Sequence, residues 1–354
     1  MERPGRSRKP EPKAEVTGGS APRPPAVAAT PVDTLLGQAR AGDKRAVARL
    51  LSVVENDEPG AADVLRRLYP ETGRAQIVGV TGPPGGGKST LVSRLVALYR
   101  ESHARVAVVA VDPSSPFTGG AILGDRIRMR DRFLDEGLFI RSMASRGHSG
   151  GLAGATMRVV NVLDALGSEV ILVETVGVGQ EEVDVVRVAD TVCFVTVPGL
   201  GDDIQAIKAG VLEIADILVV NKADRPGADE TARDLAQALS LGAPGRPRGR
   251  AHEAELPAEE WKPPVLRTAA LDGTGVAELV GAIEKHAQWS RSSGDRERRR
   301  REAARAEVEG LLRERSLRRL ADRVGPRRLD EAIDRVAARA LDPSSAVEEL
   351  LAAG

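Results

Sequence analysis

A glycine-rich segment ending in lysine and serine carries the clearest chemistry in this sequence. Residues 82–89 read GPPGGGKS and match G-x-x-x-x-G-K-[ST] at every fixed position. In such a loop, backbone N–H groups point at phosphate oxygens, the lysine reaches the β- and γ-phosphates, and the serine hydroxyl ligates Mg²⁺. The sequence therefore predicts a nucleoside triphosphate site made of Gly82, Pro83, Pro84, Gly85, Gly86, Gly87, Lys88, Ser89 and Thr90.

A second motif, NKAD at residues 221–224, predicts which base is bound. The Asp224 carboxylate can accept hydrogen bonds from the ring N–H and the exocyclic amine of guanine, a donor pair that adenine lacks. Adenine would leave the carboxylate without a hydrogen-bond partner, and an unpaired polar group in a binding site gives strong discrimination against such a ligand. The Lys222 stem can pack along the base, while Asn221 ties neighbouring loops together. A short turn without a base contact is the alternative for this motif.

The segment TAAL at residues 268–271 follows the last predicted strand. In many GTPases the sequence Ser-Ala-Lys at this place supplies a backbone N–H to the guanine oxygen. Alanine replaces that serine here. The sequence predicts a base contact from Ala269, Ala270 and Leu271.

Three carboxylates are candidates for magnesium binding and for catalysis together with Lys88. Asp112 ends the second predicted strand, and Asp125 follows a loop rich in Gly, Ser and Thr. Glu174 begins Glu-Thr-Val-Gly, where many GTPases have Asp-x-x-Gly, and the N–H of Gly177 can reach the γ-phosphate. An acidic helix cap is the alternative for Asp112 and Asp125.

The residue after Gly177 predicts that hydrolysis is slow without a partner. Ras-type enzymes have a glutamine there that orients the attacking water, and this chain has Val178. A loop at residues 198–208 follows the fifth predicted strand with paired glycines and mixed charges. It suits a mobile element and equally suits an ordinary strand-to-helix connection.

The predicted elements bring these motifs to one edge of a sheet. Continuous apolar runs alternate with helical patterns, which indicates a mostly parallel sheet covered by helices on both faces, an α/β P-loop NTPase fold. Sites in such sheets lie beyond the carboxyl ends of the strands. The first strand ends at Thr81, and the others are predicted at 106–111, 139–143, 170–174, 191–197, 217–220 and 265–268.

Four regions are predicted along the chain. Residues 1–31 are a disordered extension, because their Pro, Gly, Arg and Ala cannot bury enough apolar surface. Residues 32–75 form an N-terminal helical segment, and 76–290 form the P-loop domain with a surface insertion at 241–263. Residues 291–354 form a helical C-terminal arm.

The arm is predicted to make the protein a homodimer. Its apolar stripe has no evident partner within so charged a segment, and exposed stripes mark association sites. The arginine run at 296–301 is interleaved with glutamates nearby, which predicts a solvated helix face rather than a nucleic-acid patch.

Composition narrows the classes of protein. The 51 basic and 51 acidic residues cancel, which argues against nucleic acid as a partner. The single Cys193 excludes a disulfide framework and a cysteine-clustered zinc site. No apolar run reaches the ~20 residues of a membrane span, and the start of the chain lacks the apolar core of a signal peptide. We expect a cytoplasmic protein without a membrane anchor.

Taken together, the motifs resemble the methylmalonyl-CoA-mutase-associated GTPases of the MeaB/ArgK type. The resemblance covers about residues 32 to 350 and rests on GPPGGGKST, VDPSS with TGG-x-ILGD, ETVGVGQ-E, PG-x-GD-x-IQ-x-IK-x-G, NKAD and LDGTG. It implies a signal-recognition-like GTPase domain, flanking helices and a C-terminal dimerisation arm. It also implies a chaperone that uses Mg²⁺ and GTP or GDP, without a tightly bound cofactor of its own. Such a chaperone gates adenosylcobalamin loading onto a B12-dependent acyl-CoA mutase and protects the mutase.

The same resemblance assigns further residues. It places Asp112, Asp125 and Glu174 in the magnesium and switch regions, and Gln205 and Lys208 in a third switch that answers to the partner. Two other readings remain open. One is a nucleotide-gated binding module whose hydrolysis is vestigial. The other is a metallochaperone GTPase with a different client, which one cysteine and four scattered histidines disfavour.

Overall fold

The computed structural model describes residues 32–113, 135–145, 151–175, 187–199, 214–241 and 260–352. For Asp112 it describes the backbone only. Several residues and segments singled out by the sequence lie outside these ranges: Asp125, Gly177, Val178, Gln205, Lys208, the extension 1–31 and residues 242–259 of the insertion.

Strands and helices alternate along the described chain. The strands are β1 (Gln76–Thr81), β2 (Val106–Pro113), β3 (Leu138–Ser145), β4 (Val170–Thr175), β5 (Thr191–Thr196), β6 (Ile217–Asn221) and β7 (Val265–Thr268). The helices are α1 (Val32–Arg40), α2 (Lys44–Glu55), α3 (Ala61–Leu68), α4 (Lys88–Ser102), α5 (Gly151–Ala165), α6 (Ala228–Leu241), α7 (Val276–Ser292), α8 (Asp295–Val324), α9 (Pro326–Ala337) and α10 (Pro343–Ala352). A short 3₁₀ helix, Tyr69–Glu71, joins α3 to β1.

The seven strands form one parallel sheet in the order β3-β2-β4-β1-β5-β6-β7. β4, β5 and β6 are buried along their whole length, as expected for strands covered on both faces. The predicted α/β fold with a parallel sheet is confirmed. β2 and β3 are longer than their apolar runs, because the two strands pair from Val106 with Leu138 to Pro113 with Ser145.

Alternate residues of the strands face two layers of helices. Ile77 of β1 packs in a cluster with residues of α1, α2, α3 and α5. The next residue, Val78, packs on the other face with residues of α4 and α7. The central strand β1 is therefore fixed from both sides, and the loop that follows it begins from a rigid base.

α8 leaves the domain as a helix of 30 residues. Its first turns dock under the sheet, where Arg296 and Arg300 contact Asp190, and Arg299 contacts Asp216. The prediction of a solvated face at 296–301 is therefore wrong for these three arginines. The two aspartates immediately precede β5 and β6, so these ion pairs lie at the amino ends of the strands.

The remainder of the arm exposes apolar side chains. Val308, Leu312 and Leu317 are 63%, 65% and 66% exposed.

Within the described ranges, no helix is long and apolar enough to cross a membrane.

Candidate nucleotide site

The loop between β1 and α4 is held so closely against its neighbours that two positions require glycine. At Gly82 φ is +137°, and a Cβ would lie 2.0 Å from the Val195 carbonyl oxygen of β5. At Gly87 φ is +83°, and a Cβ would lie 2.5 Å from Nδ2 of Asn221. Only glycine avoids both the strained backbone and the close approach. The loop is thus a curled backbone that leads into the N-terminus of α4, the arrangement that binds phosphates.

The first two residues of α4 point into this loop. Lys88 is 6% exposed, and its Nζ donates to the carbonyl oxygens of Gly82 at 2.7 Å and Pro83 at 2.9 Å. The Ser89 hydroxyl donates to Oε1 of Glu174 at 2.6 Å. Glu174 is 1% exposed and lies near the end of β4. The sheet therefore brings together a lysine, a hydroxyl and a carboxylate that the sequence predicted from separate motifs.

The backbone of Asp112 ends near the same place. In the pairing of β2 with β4, Ala110 is opposite Glu174, so Asp112 follows two residues later on the neighbouring strand. Hydroxyl and carboxylate oxygens are the ligands that Mg²⁺ prefers. In the part of the chain that the structure describes, no three His, Cys, Asp or Glu residues are grouped as a metal site made of protein ligands alone.

The NKAD motif begins at the end of β6 and contacts the same loop from the other side. Asn221 Nδ2 donates to the Gly86 carbonyl at 2.9 Å, and Lys222 Nζ donates to the Gly85 carbonyl at 2.7 Å. Lys222 has a positive φ of 58°, which turns the chain sharply after the strand. Asp224 is exposed at the end of this turn, where a base can reach it.

Asn221 also holds the segment after β7. Its Oδ1 accepts from the Thr268 hydroxyl and from the Ala270 N–H, both at 3.1 Å. Thr268 was not among the predicted site residues, although its place at the end of the last strand is a signal for such a role. One asparagine thus links the phosphate loop to the predicted base-binding segment.

Arg94 of α4 is a second residue that the sequence did not single out. Its Nε donates to the Ala270 carbonyl at 3.0 Å, and Nη2 of the same guanidinium group donates to the Leu271 carbonyl. No pattern in the sequence marks Arg94, because its role depends on α4 passing beside the segment after β7.

A second polar cluster lies at the opposite end of the strands. Asp216 is fully buried, and its carboxylate accepts from Arg299 at 2.6 and 2.9 Å and from the Val192 N–H at 2.9 Å. His286 Nε2 lies 3.4 Å from the same carboxylate. Burial alone would raise the pKa of Asp216, but His286 and Arg299 outweigh it and hold that pKa well below its usual range.

The sequence contained a signal for this cluster. The dipeptide Ala-Asp precedes both β5 and β6, as Ala189-Asp190 and Ala215-Asp216. The cluster is separated from the nucleotide site by the length of the strands, and its contacts with Arg299 attach α8 to the sheet.

Comparison with known proteins shows the family of the chain. The family model described as "Methylmalonyl Co-A mutase-associated GTPase MeaB" matches residues 47–325. A putative GTPase of Pyrococcus abyssi is 48% identical over 90% of this chain and 96% of its own length. The "Methylmalonic aciduria type A homolog, mitochondrial" of Caenorhabditis elegans is 31% identical over 76% of this chain and 69% of its own.

A solved structure supports the fold. The crystal structure of an LAO/AO transport system kinase matches with a TM-score of 0.64 and 26% identity, over 90% of this chain and 95% of that chain. With the phosphate loop, the NKAD turn and the family match in agreement, the chain belongs to the methylmalonyl-CoA-mutase-associated GTPase (MeaB) family and is a P-loop GTPase.

Proposed function

We propose that this GTPase is a chaperone that gates adenosylcobalamin loading into a B12-dependent acyl-CoA mutase and protects that mutase. The observation that carries the proposal is the family match over residues 47–325, since the family is described by its association with methylmalonyl-CoA mutase. The name of the Caenorhabditis elegans relative, which refers to methylmalonic aciduria, supports the same client.

In this proposal the phosphate loop binds the triphosphate through its backbone. Residues 82–90 surround the phosphates, and Lys88 exchanges its two carbonyl contacts for the β- and γ-phosphates. The exchange is favourable because the ammonium group is already buried and gains an anionic partner. The Gly177 N–H is assigned to the γ-phosphate from its motif alone.

Guanine is proposed to lie between Asp224 and the segment after β7. Asp224 accepts from the two donors on the base, the Lys222 stem covers one face, and Ala269, Ala270 and Leu271 supply the contact to the guanine oxygen. The support is that Asn221 donates to the phosphate loop and accepts from the segment after β7. The residues proposed to contact the base and those proposed to contact the phosphates are therefore hydrogen-bonded to one another.

The residues present fit a magnesium ion. Ser89 Oγ and Glu174 Oε1 are 2.6 Å apart in a buried position, and both are oxygen donors. We assign these two residues, with Asp112 and Asp125, to the ion and its bound waters. When bound, Mg²⁺ neutralises charge that develops on the phosphates. In this proposal Glu174 fixes the Ser89 hydroxyl and orients the attacking water.

Hydrolysis is proposed to depend on the partner. Val178 carries no polar group that could orient water, so the chain by itself is a slow GTPase. Groups supplied by a partner can raise phosphoryl transfer by about 10³–10⁵-fold. Gln205 and Lys208 follow β5 in the sequence and are assigned to the partner-responsive switch.

The chain is also proposed to form a homodimer through its C-terminal arm. The exposed apolar residues of α8 continue into α9 and α10, where Ile333, Val347 and Leu351 are each more than half exposed. A second copy of the arm offers the same apolar surface and can cover it.

The decisive test follows adenosylcobalamin transfer into purified apo-mutase by its absorbance. Transfer is measured with GTP, with GDP and with a nonhydrolysable GTP analogue, and the Lys88→Ala variant serves as the nucleotide-blind control. We expect transfer to differ between the nucleotides with the wild-type protein and to be uniform with Lys88→Ala. Equal transfer in all three nucleotide states with the wild-type protein would reject the gating function.

A further inference from the structure

We propose that Arg94 is a specificity-positioning residue, which orients the Ala270–Leu271 peptide so that its N–H reads the oxygen at C6 of guanine. The inference rests on the guanine pocket proposed above and names the residue that gives this pocket its selectivity at one edge of the base.

The donor can be identified by elimination within the segment. The Ala269 N–H donates to the Thr274 carbonyl at 2.9 Å, and the Ala270 N–H donates to Asn221 Oδ1 at 3.1 Å. Among the described residues, no acceptor takes the Leu271 N–H. Leu271 is 78% exposed, so its amide is at the open side of the turn. It is the donor in this segment that remains for a ligand.

Arg94 controls the direction of that amide. The Ala270 carbonyl and the Leu271 N–H belong to one planar trans peptide, so they point in opposite directions. Arg94 Nε anchors the Ala270 carbonyl at 3.0 Å, and the same guanidinium contacts the Leu271 carbonyl. Two bonds from one planar guanidinium fix the two peptide units that flank Leu271, whereas a single bond would leave the Ala270–Leu271 peptide free to rotate.

The charge of Arg94 adds to the effect of its geometry. A cationic donor on a carbonyl polarises the peptide, and hydrogen bonds in a chain strengthen one another. The Leu271 N–H is therefore both aimed and made a better donor. Ala269 stands where the Ser-Ala-Lys pattern has serine. In this proposal the Arg94 side chain, from outside the segment, holds residues 269–271 in place.

α4 makes Arg94 part of the same rigid unit as the phosphate-binding residues. Lys88 and Ser89 start the helix, and Arg94 lies on its second turn. Residues of one helix therefore position both the phosphates, at its N-terminus, and the peptide that contacts the C6 edge of the base. Arg94 is exposed and belongs to none of the three buried apolar clusters.

The experiment compares three nucleotides with Arg94→Ala, Arg94→Lys and a control, Arg45→Ala. Arg45 is also exposed, and its side chain has no hydrogen bond or ion pair among the described residues. Dissociation constants are measured for GTP, for ITP, which keeps the C6 oxygen and lacks the 2-amine, and for 2,6-diaminopurine riboside triphosphate, which has an amine in place of the oxygen.

We expect Arg94→Ala to weaken GTP and ITP by the same factor, about 3- to 10-fold, which is the loss of one well-oriented hydrogen bond. The diaminopurine nucleotide should be unaffected, because it has no oxygen for Leu271 to read. Thermal unfolding of Arg94→Ala without nucleotide should match that of Arg45→Ala. Arg94→Lys, which can reach one carbonyl, should lie between.

Two results would overturn the role of Arg94 alone. In the first, Arg94→Ala weakens the binding of all three nucleotides equally, which would indicate a general loosening of the segment after β7. In the second, the wild-type protein is selective and Arg94→Ala is equally selective. A wild-type protein that binds the diaminopurine nucleotide as tightly as GTP would instead overturn the guanine pocket, and the role of Arg94 with it.

Discussion

At the scale of single residues, Asp224 offers the most direct test of base recognition. Asp224→Asn keeps one acceptor and adds a donor, so it should weaken GTP on the order of 100-fold and improve xanthosine triphosphate, whose C2 oxygen accepts the new N–H. Asp57→Asn is the matched control, because Asp57 is exposed and its φ of 50° suits asparagine. Equal affinities for ATP and GTP in the wild-type protein would show that the base-pocket assignment is wrong.

Glu174 separates binding from hydrolysis. Glu174→Gln has the same shape and can still accept from Ser89, so GTP affinity should change little. The single-turnover rate should fall about 100-fold, because a neutral amide cannot replace a carboxylate that orients water. Lys88→Ala should lose tight binding instead. A Glu174→Gln variant that loses affinity and rate in equal measure would have a purely structural role.

At this scale the sequence singled out several residues that the structure brings together in the candidate site, but not the contacts among them. Lys88, Ser89, Asn221 and Glu174 are recognisable because their chemistry is tied to a fixed local pattern. Arg94 could not be found in this way, since its partners are backbone carbonyls remote in the sequence. Side chains that act on backbone depend on how elements pack, and short motifs do not contain that information.

At the scale of elements, the seven strands and the parallel sheet were predictable from continuous apolar runs. The lengths of β2 and β3 were not, because pairing carries the two strands beyond their apolar residues. The docking of α8 was also missed. Its arginines resemble a solvated face in the sequence, and only the fold brings Asp190 and Asp216 to them.

The buried contact of Arg299 with Asp216 should make stability depend on pH. Asp216→Asn leaves Arg299 with Asp295 as its remaining ionic partner and should lower the free energy of unfolding at pH 7 by about 3 kcal/mol. The pKa of Asp216 is lowered in the folded state, so its contribution is complete above the ordinary value of about 3.9 and is lost as pH falls below it. The difference between wild type and variant should therefore narrow below about pH 4.

The measurement is denaturant unfolding at a series of pH values, with Asp234→Asn as the control on an exposed helix position. The control should track the wild type throughout. If Asp216→Asn were as stable as the wild type at pH 7, the contact would not be what attaches α8 to the sheet.

At the scale of the whole molecule, the arm should set the oligomeric state. Glutamate at Leu312 or Leu317 places a charge in a surface that is otherwise apolar, and burying it unpaired is costly. Light scattering should show a dimer for the wild type and for Arg315→Ala, an exposed position on the same helix, and a monomer for Leu312→Glu. A truncation after Ser293 with the mass of a dimer would place the interface elsewhere.

Coupling between the nucleotide site and the mutase is the last property of the whole molecule to be tested. The proposed binding site is connected through Asn221 and the phosphate loop, while Val178 stands where Ras-type enzymes have the glutamine that orients the attacking water. Addition of mutase should therefore raise GTP turnover, by at least about tenfold if the partner completes the site. Gln205→Ala and Lys208→Ala should reduce this activation and leave the basal rate unchanged.

The same coupling must appear in binding. If the GTP and GDP states differ in mutase affinity by some factor, the mutase must change the ratio of GTP to GDP affinity by the same factor, because coupling free energies are reciprocal. Measuring both sides with a nonhydrolysable analogue tests the coupling without turnover. Turnover that ignores the mutase, together with nucleotide affinities that do not change in its presence, would mean that this GTPase does not gate that enzyme.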